Sequence, residues 1–304
     1  MIKHTHTEPS EINFSKLEKR ILNINDPLLN KANDIRKMLY QLTIDKNPTL
    51  IIATGGSKVV AYYLQLIIER LGINGVICEV IEPRDYFYKV NRNQYSNLIA
   101  ISTSGNTNGI KESLDDFNGT KILITQDNQE SNYQVISWGN EKYETEKSFI
   151  SLASSLGPIT LMLDATTSLN MEIGSDEIKK INDKIKELLI RSREKIAKIS
   201  VNFKDISLIQ IMSGYETKTS CRVLESNLVE TGLVSPVIHD KGSFCHGRSN
   251  LIFQYPDSHV IYLCHQRREL DNILIELINR EYSNISIFDT KKIKENYFWK
   301  EYYL

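Results

Sequence analysis

Short apolar runs alternate with helical patterns along most of the chain. Runs of strand length in the first half occupy 49–57 (ending in glycines), 75–80, 97–102, 121–125 and 133–137. Between them, apolar residues recur at helical spacing, as they do over 59–71 and 109–117. Strands that alternate with helices predict a parallel sheet with helices on both faces.

The second half follows the same pattern. Strands are predicted over 206–211, 260–264 and 285–288, and a helix over 219–229. A long helical pattern opens at Ser175 and separates the two halves. We therefore predict a helical N-terminal extension over 1–45, a first domain over 46–174, a linker helix over 175–198 and a second domain over 199–304.

Composition and charge narrow the class of protein. The chain is 41% hydrophobic and 25% charged, which is typical of soluble globular proteins. Its net charge of −1 gives no excess of positive charge of the kind that binds nucleic acid or an anionic membrane. No apolar run reaches the length of a membrane span, and the four cysteines form no CxxC pair. We therefore expect a cytoplasmic protein with reduced thiols and no metal.

Candidate chemistry is concentrated in residues 102–107, which we call the serine turn. It has the sequence Ser-Thr-Ser-Gly-Asn-Thr and lies between an apolar run and a helical pattern. Gly105 lets the backbone approach a ligand closely, and a helix N-terminus presents unpaired N–H groups and partial positive charge. An ordinary N-cap is the alternative, because serine and threonine cap helices in many proteins.

A second turn of the same kind supports a phosphate site. Gly56 and Ser57 follow the strand that begins at Thr49, where the next helix starts. Ligands of parallel sheets bind at the carboxyl ends of the strands, so Ser57 and the serine turn can converge on one anion. Neither a dinucleotide-binding glycine motif nor a P-loop is present, and we expect no cofactor.

On these residues the chain resembles the sugar isomerase (SIS) family of phosphosugar-binding proteins in its double-domain form. It is most similar to the isomerase half of the glutamine:fructose-6-phosphate amidotransferases, over about residues 48–250. The resemblance assigns substrate phosphate binding to a set of small polar residues: Ser57, Ser102, Thr103, Ser104, Thr107 and Ser151. Ser151 lies five residues after Glu146, as a serine follows a Thr-Glu pair in that family.

In the second half the resemblance depends on spacing. Glu230 precedes His246 by sixteen positions, as the family's glutamate precedes the histidine of its His-Gly-Pro motif. The family uses that glutamate to move a proton between C1 and C2 and that histidine to open the sugar ring. Arg248 replaces the family's proline, and Asn227 replaces its lysine. Because an arginine can bind a phosphate or a carboxylate with two hydrogen bonds, a substrate that carries a second acidic group is one alternative.

The resemblance implies an α/β protein with two SIS-type (flavodoxin-like) three-layer domains, each a parallel sheet flanked by helices. It also implies a homodimer with sites near the interface, and an aldose–ketose isomerase or a deglycase that works through a cis-enediol. The chain lacks the glutaminase domain, so no glutaminase activity is expected. The alternative function is a non-catalytic sugar-phosphate sensor, because SIS domains also bind effectors in regulators.

Three further residues are candidates for the substrate site, and each has a purely structural alternative. His239 and Asp240 lie near Gly242 in what we predict to be a polar loop, where either an acid–base role or a surface turn is open. Lys300 resembles a C-terminal lysine that some relatives place over the site, although a packed aromatic terminus explains it as well. A proton-transferring Glu230 needs partial burial to raise its pKa.

Overall fold

The computed structural model confirms the predicted fold class. It describes residues 32–70, 77–89, 91–127, 130–139, 152–169, 183, 187, 206–214, 217–232, 234–265, 267–281 and 284–289. The chain divides into two compact units between Lys198 and Ile199. Each unit contains one parallel sheet with helices packed on it.

The first sheet has the order β2-β1-β3-β4-β5, with every neighbouring pair parallel. Its strands are β1 (Thr49–Ala53), β2 (Cys78–Ile81), β3 (Asn97–Ile101), β4 (Thr120–Thr125) and β5 (Gln134–Ser137). Every residue of β1 and β3 is buried, which explains why these strands are continuous apolar runs rather than alternating ones.

Alternate residues of these strands face two separate cores. Ile51 and Ile99 pack on one side with apolar residues of α1 (Ala32–Asp45), α2 (Ser57–Arg70) and α5 (Leu152–Leu169). Leu50 and Leu98 pack on the other side, with helices α3 (Pro83–Tyr88) and α4 (Asn108–Asp116). Burying each such side chain contributes roughly 1.5–3 kcal/mol, so the sheet is fixed from both faces.

The second sheet has the order β7-β6-β8-β9, again with parallel neighbours. Its strands are β6 (Leu208–Ser213), β7 (Ser235–Asp240), β8 (His259–Cys264) and β9 (Ile285–Asp289). Its helical segments are α6 (Lys218–Thr231), a single turn (Lys241–Ser243), a π-type segment (Phe244–Arg248), α7 (Asn250–Gln254) and α8 (Glu269–Glu281).

The polar loop predicted around His239 and Asp240 is wrong. These residues end β7, and His239 is only 1% exposed. The strand starts with Ser235 and Pro236 and lies at the edge of its sheet, where proline is tolerated because one side of the strand needs no partner. The sequence pattern conceals this strand, because proline and two polar residues interrupt its apolar run.

Some predictions fall outside the described residues. They include residues 1–31 of the N-terminal extension, most of the linker helix over 175–198, and the site residues Ser151 and Lys300. In the part of the chain that the structure covers, no helix combines the length and apolarity needed to span a bilayer.

Candidate functional site

The first sheet has a topological switch point between β1 and β3. The chain leaves β1 towards β2 on one side, whereas β3 pairs with the other side of β1. Ligands of open parallel sheets bind in the crevice at the carboxyl ends of the strands at such a point. Ser57 follows β1 and Ser102 follows β3, so both lie at this position.

The serine turn is held by its own hydrogen bonds. The Gly105 N–H donates to the Ser102 carbonyl oxygen and to Ser102 Oγ, both at 3.2 Å. The Asn106 N–H donates to Ser104 Oγ, also at 3.2 Å. Gly105 has φ +63°, a conformation that costs glycine little, so the turn is preformed rather than assembled by a ligand.

The side chain of Thr107 does not act as an ordinary N-cap. It occupies the N-cap position of α4, yet its side chain makes no capping hydrogen bond. Its Oγ1 instead lies 3.2 Å from Ser102 Oγ, across the mouth of the turn. The first turn of α4 has no acidic residue. The hydroxyl therefore points at the turn, and the positive helix end is not neutralised by a carboxylate.

A cavity of about 260 Å³ opens at this switch point. Its lining comprises Thr54, Ser57, Ile101, Ser102, Thr103, Ser104, Thr107, Gln126 and Asp127. One water molecule needs about 10–15 Å³ of this kind of volume, so the cavity has room for a phosphate group. The structure thus brings together Ser57 and the four predicted residues of the serine turn, and Gly56 lies beside Ser57.

Thr54, Gln126 and Asp127 are cavity residues that sequence reasoning missed. Gln126 is fixed through its backbone, because its N–H donates to the Thr103 carbonyl at 3.0 Å and its own carbonyl accepts from Gly139 N–H at 2.9 Å. Asp127 follows directly. The signal that identifies both is their position just after β4, the strand next to β3.

The second unit carries Glu230 and His246, and both are exposed in this chain. Glu230 lies in the last turn of α6. His246 lies in the π-type segment with φ −94° and ψ 43°, and Gly247 after it has φ +103°. A Cβ on Gly247 would meet no atom within 4 Å, so conformation rather than space favours glycine here. Phe244 is buried at the start of this segment, and Ile252 is buried in α7, which follows it.

His239 is part of a buried polar chain behind that segment. Its Nε2 lies 3.1 Å from Gln210 Oε1, and the Gln210 amide nitrogen donates to Ser258 Oγ at 3.1 Å. Its ring lies 5.6 Å from that of Phe244 between centroids. Burial, and then the positive charge of Arg248, lower the pKa of His239, so the ring is neutral at pH 7.

Asp240 has a structural role at the end of β7. Its two carboxylate oxygens accept from Ser243 N–H at 2.8 Å and from Ser243 Oγ at 2.6 Å. These hydrogen bonds lower the pKa of Asp240. Arg248 is exposed, and its positive charge acts on His239. Asp240 therefore caps the turn that leads towards His246.

A second carboxylate, Asp271 of α8, ties that turn to the core. Lys241 Nζ lies 2.5 Å from Asp271 Oδ1, which also accepts from the Tyr262 hydroxyl at 2.5 Å. The Arg268 N–H donates to Asp271 Oδ2 at 2.8 Å. Burial alone would raise the pKa of Asp271, but the hydrogen bonds from Arg268, Lys241 and Tyr262 outweigh burial and lower it.

Among the described residues, no three His, Cys, Asp or Glu side chains lie close enough together to hold a metal ion. Ser151 and Lys300 lie outside the described residues. The serine turn and its cavity are thus the part of the predicted site that the structure assembles within one unit.

Comparison with known proteins finds similarity in structure only. No protein-family model matches the sequence, and no curated protein matches it. The C-terminal domain of a Francisella tularensis glucosamine-fructose-6-phosphate aminotransferase superposes with TM-score 0.69 at 18% identity, covering 98% of this chain and 88% of that one. The Escherichia coli tagatose-6-phosphate ketose/aldose isomerase gives TM-score 0.69 at 12% identity, covering 92% and 83%.

A third solved structure, the glucosamine-6-phosphate deaminase of Thermotoga maritima, gives TM-score 0.62 at 14% identity, covering 88% of this chain and 84% of that one. These identities are low, and the likeness is one of fold. It confirms, at the level of the fold, the resemblance to the double-domain sugar isomerase proteins that the sequence motifs indicated.

Proposed function

We propose that the chain binds a phosphorylated sugar, with the phosphate in the cavity of the serine turn. The observation that carries this proposal is the Thr107 hydroxyl, which faces Ser102 at the N-terminus of α4 instead of capping the helix. Around it, the cavity lining offers hydroxyls from two strand ends. The fold neighbours named as acting on sugar phosphates support the same ligand class.

Neutral donors suffice for such a site. Each hydrogen bond to a charged acceptor contributes about 1.5–3 kcal/mol, and a helix N-terminus adds about 0.3–1 kcal/mol for an anion near it. Ser57, Ser102, Thr103, Ser104 and Thr107 hold the phosphate, and Ser151 completes the set. The sugar carbons extend beyond the phosphate into the rest of the cavity.

The reaction we propose is aldose–ketose interconversion or release of an amine from an amino sugar phosphate. His246 assists ring opening, since an imidazole exchanges protons near neutral pH. Glu230 then removes the proton from C2 and returns it to C1 through a cis-enediol. Both side chains are exposed in the single chain, and a homodimer with sites near its interface supplies the burial that proton transfer needs.

The exposure of Glu230 and His246 favours one competing function. A non-catalytic sugar-phosphate sensor needs the serine turn but no buried acid–base pair. Such a sensor binds the same ligands and leaves every carbon-bound proton in place. Proton exchange at C2 therefore separates the two functions.

The test combines binding with exchange on the full-length protein. Thermal unfolding is followed with a panel of phosphorylated aldoses, ketoses and amino sugars, because a ligand of the folded state raises Tm by mass action. The variants are Ser102→Ala and Glu230→Gln, with Ser235→Ala and Glu276→Gln as exposed controls in the second unit.

We expect stabilisation of the wild type by at least one phosphosugar, its loss in Ser102→Ala, and C2 proton exchange with D₂O that Glu230→Gln abolishes. Stabilisation that persists in Ser102→Ala contradicts the assignment of the phosphate site. Binding without exchange in the wild type leaves the sensor as the function.

A further inference from the structure

We propose that residues 290–304 pack as a helix on the second sheet, over β8 and next to α6. The surface that receives them is formed by Ile261 and Leu263 of β8 together with Ser286 and Phe288 of β9, and we call it the open face. The proposal concerns the second unit and does not depend on the phosphosugar site.

The open face spans two neighbouring strands. In the parallel register Ile261 pairs with Ser286, and Leu263 pairs with Phe288. Tyr262, between the two β8 residues, faces the opposite side of the sheet, where the apolar residues of α8 pack. On the open face, Ile261 and Leu263 are only half-buried and Phe288 is 41% exposed. Large apolar side chains at the centre of this face therefore lack a full cover.

Among the described residues, α6 covers this side of the sheet only in part. Leu224 and Leu228 of α6 pack with Ile209 and Ile211 of β6, which are at most 1% exposed. Helix α6 contacts β6 and β7, whereas β8 and β9 lie on the other side of β6. The helical segments described after β7 contribute their buried residues to the opposite side.

The first sheet, which has the same strand order, shows how such a side is closed. Helix α2 connects β1 to β2 as α6 connects β6 to β7. On the α2 side, the apolar residues of β3 and β4 are at most 5% exposed: Ile99, Ile101, Ile122 and Ile124. The helix that completes this cover is α5, which lies against both α1 and α2 and adds Met162 and Ala165 to the same core. In the chain, α5 follows the last strand of its sheet.

Residues 290–304 hold the equivalent place in the second unit, because they follow β9 directly. A helix of these 15 residues is ~22 Å long, and the six residues of β8 span ~20 Å, so the segment is long enough to run back along the strand. Its aromatic residues have the spacing i, i+1, i+4, i+5, which places four of them on one side of a helix: Phe298, Trp299, Tyr302 and Tyr303.

The point from which the segment leaves the sheet is fixed. Asp289 ends β9 opposite Cys264, the last residue of β8, and its Oδ2 lies 3.2 Å from Arg267 Nε. The segment therefore starts at the carboxyl ends of these two strands. A helix that returns from there runs antiparallel to β8, which is the direction that helices of parallel α/β units take.

The first experiment uses Trp299 as a reporter in the full-length chain. The chain has two tryptophans, so Trp138→Phe, which keeps an aromatic ring at a buried position, leaves Trp299 as the single fluorophore. Acrylamide quenching is measured in buffer and in urea, over a range of protein concentrations. Lys300→Ala is the control within the segment, because helical spacing places this residue on the side away from the aromatic residues.

The second experiment is a double-mutant cycle in the otherwise unchanged chain. Leu263→Ala and Trp299→Ala are made singly and together, and the unfolding equilibrium is measured in urea. The matched control is Leu270→Ala, combined with Trp299→Ala in the same way. Leu270 is 55% exposed on α8, which packs on the opposite side of the sheet.

We expect Trp299 to be quenched less in the folded than in the unfolded protein at every concentration, and Lys300→Ala to leave this shielding unchanged. Leu263 and Trp299 should be coupled by about threefold or more in the unfolding equilibrium constant, as residues in contact are, whereas Leu270 and Trp299 should act independently.

Equal quenching in the folded and unfolded protein overturns the proposal, because the segment then has no cover of its own. Shielding without coupling to Leu263 also overturns it, since the segment or another part of the chain then packs elsewhere. Shielding that disappears on dilution assigns the contact to a second copy of the chain and overturns it as well.

Discussion

Replacing Asp271 tests whether the ion pair with Lys241 holds the segment that leads to His246. Asp271→Ala leaves the buried Tyr262 hydroxyl without its acceptor, which costs about 1–3 kcal/mol. Breaking a buried ion pair costs about 3–5 kcal/mol, and we take less here because the Lys241 side chain is 26% exposed. We therefore expect a loss of about 3–5 kcal/mol in the free energy of unfolding.

Two milder changes at the same place divide this loss. Asp271→Asn keeps one oxygen for Tyr262 but presents an amide group to the Arg268 N–H and loses the charge opposite Lys241, so we expect about 2 kcal/mol. Tyr262→Phe leaves Asp271 with its other two partners, and we expect about 1 kcal/mol. Asp257→Ala, in the exposed turn before β8, is the control and should stay within about 0.5 kcal/mol.

The assay is urea denaturation combined with native-state hydrogen exchange of the β8 amides. The exchange measurement is needed because a chain of two units need not unfold in one step. A loss below about 1 kcal/mol in Asp271→Ala would show that this carboxylate does not hold the turn.

The pairing also sets a pH window. The pKa of Asp271 is lower in the folded protein than its unfolded value of about 3.9, so the folded state favours the charged form. Its stabilisation is present above about pH 4 and is lost as the pH falls through the folded pKa. The ordinary range of neutral assays therefore reports the full effect of the substitution.

Two further changes probe the cavity wall and the buried histidine. In Gly139→Ala, the added Cβ overlaps the Gln126 carbonyl oxygen and lies 2.8 Å from Gln126 Cγ. We therefore expect a loss of about 1–3 kcal/mol in the free energy of unfolding and weaker phosphosugar binding. Unchanged calorimetric binding and an unchanged Tm would contradict this. Burial lowers the pKa of His239, so stability should fall as the pH decreases below about 6.5, and His239→Gln should flatten that slope in urea titrations. Burial also lowers the pKa of His259, so part of the pH dependence of stability remains in His239→Gln. An unaltered slope in that variant would refute the assignment to His239.

Local sequence patterns predicted the parts of the fold that depend on local chemistry. The strands β1 and β3 are buried on both faces, so every residue after their first, Thr49 or Asn97, is apolar and the runs are visible in the sequence. The serine turn carries its glycine and hydroxyls within six positions, which makes it recognisable without its neighbours. Strand β7 escaped prediction because Pro236 is acceptable only at a sheet edge, and edge position is a property of the whole sheet.

The cavity wall could not be predicted for a similar reason. Gln126 and Asp127 line the cavity beside the serine turn because β4 pairs with β3. No local sequence motif predicts that pairing. His239 was misjudged because the partner of its Nε2, Gln210, is 29 positions away in the sequence and lies within the core. Polar residues with distant partners look like surface residues when only their neighbours in sequence are considered.

The order β2-β1-β3-β4 in one sheet is repeated as β7-β6-β8-β9 in the other. After β3 the first sheet has a glycine turn rich in hydroxyls, whereas after β8 the second sheet has Arg267, whose Nε lies 3.2 Å from Asp289 Oδ2. The same strand end thus carries uncharged hydroxyl groups in one unit and an ion pair in the other. An anion that enters the second sheet at this position meets a guanidinium group already paired with a carboxylate, so the two units differ in chemistry although they share a strand order.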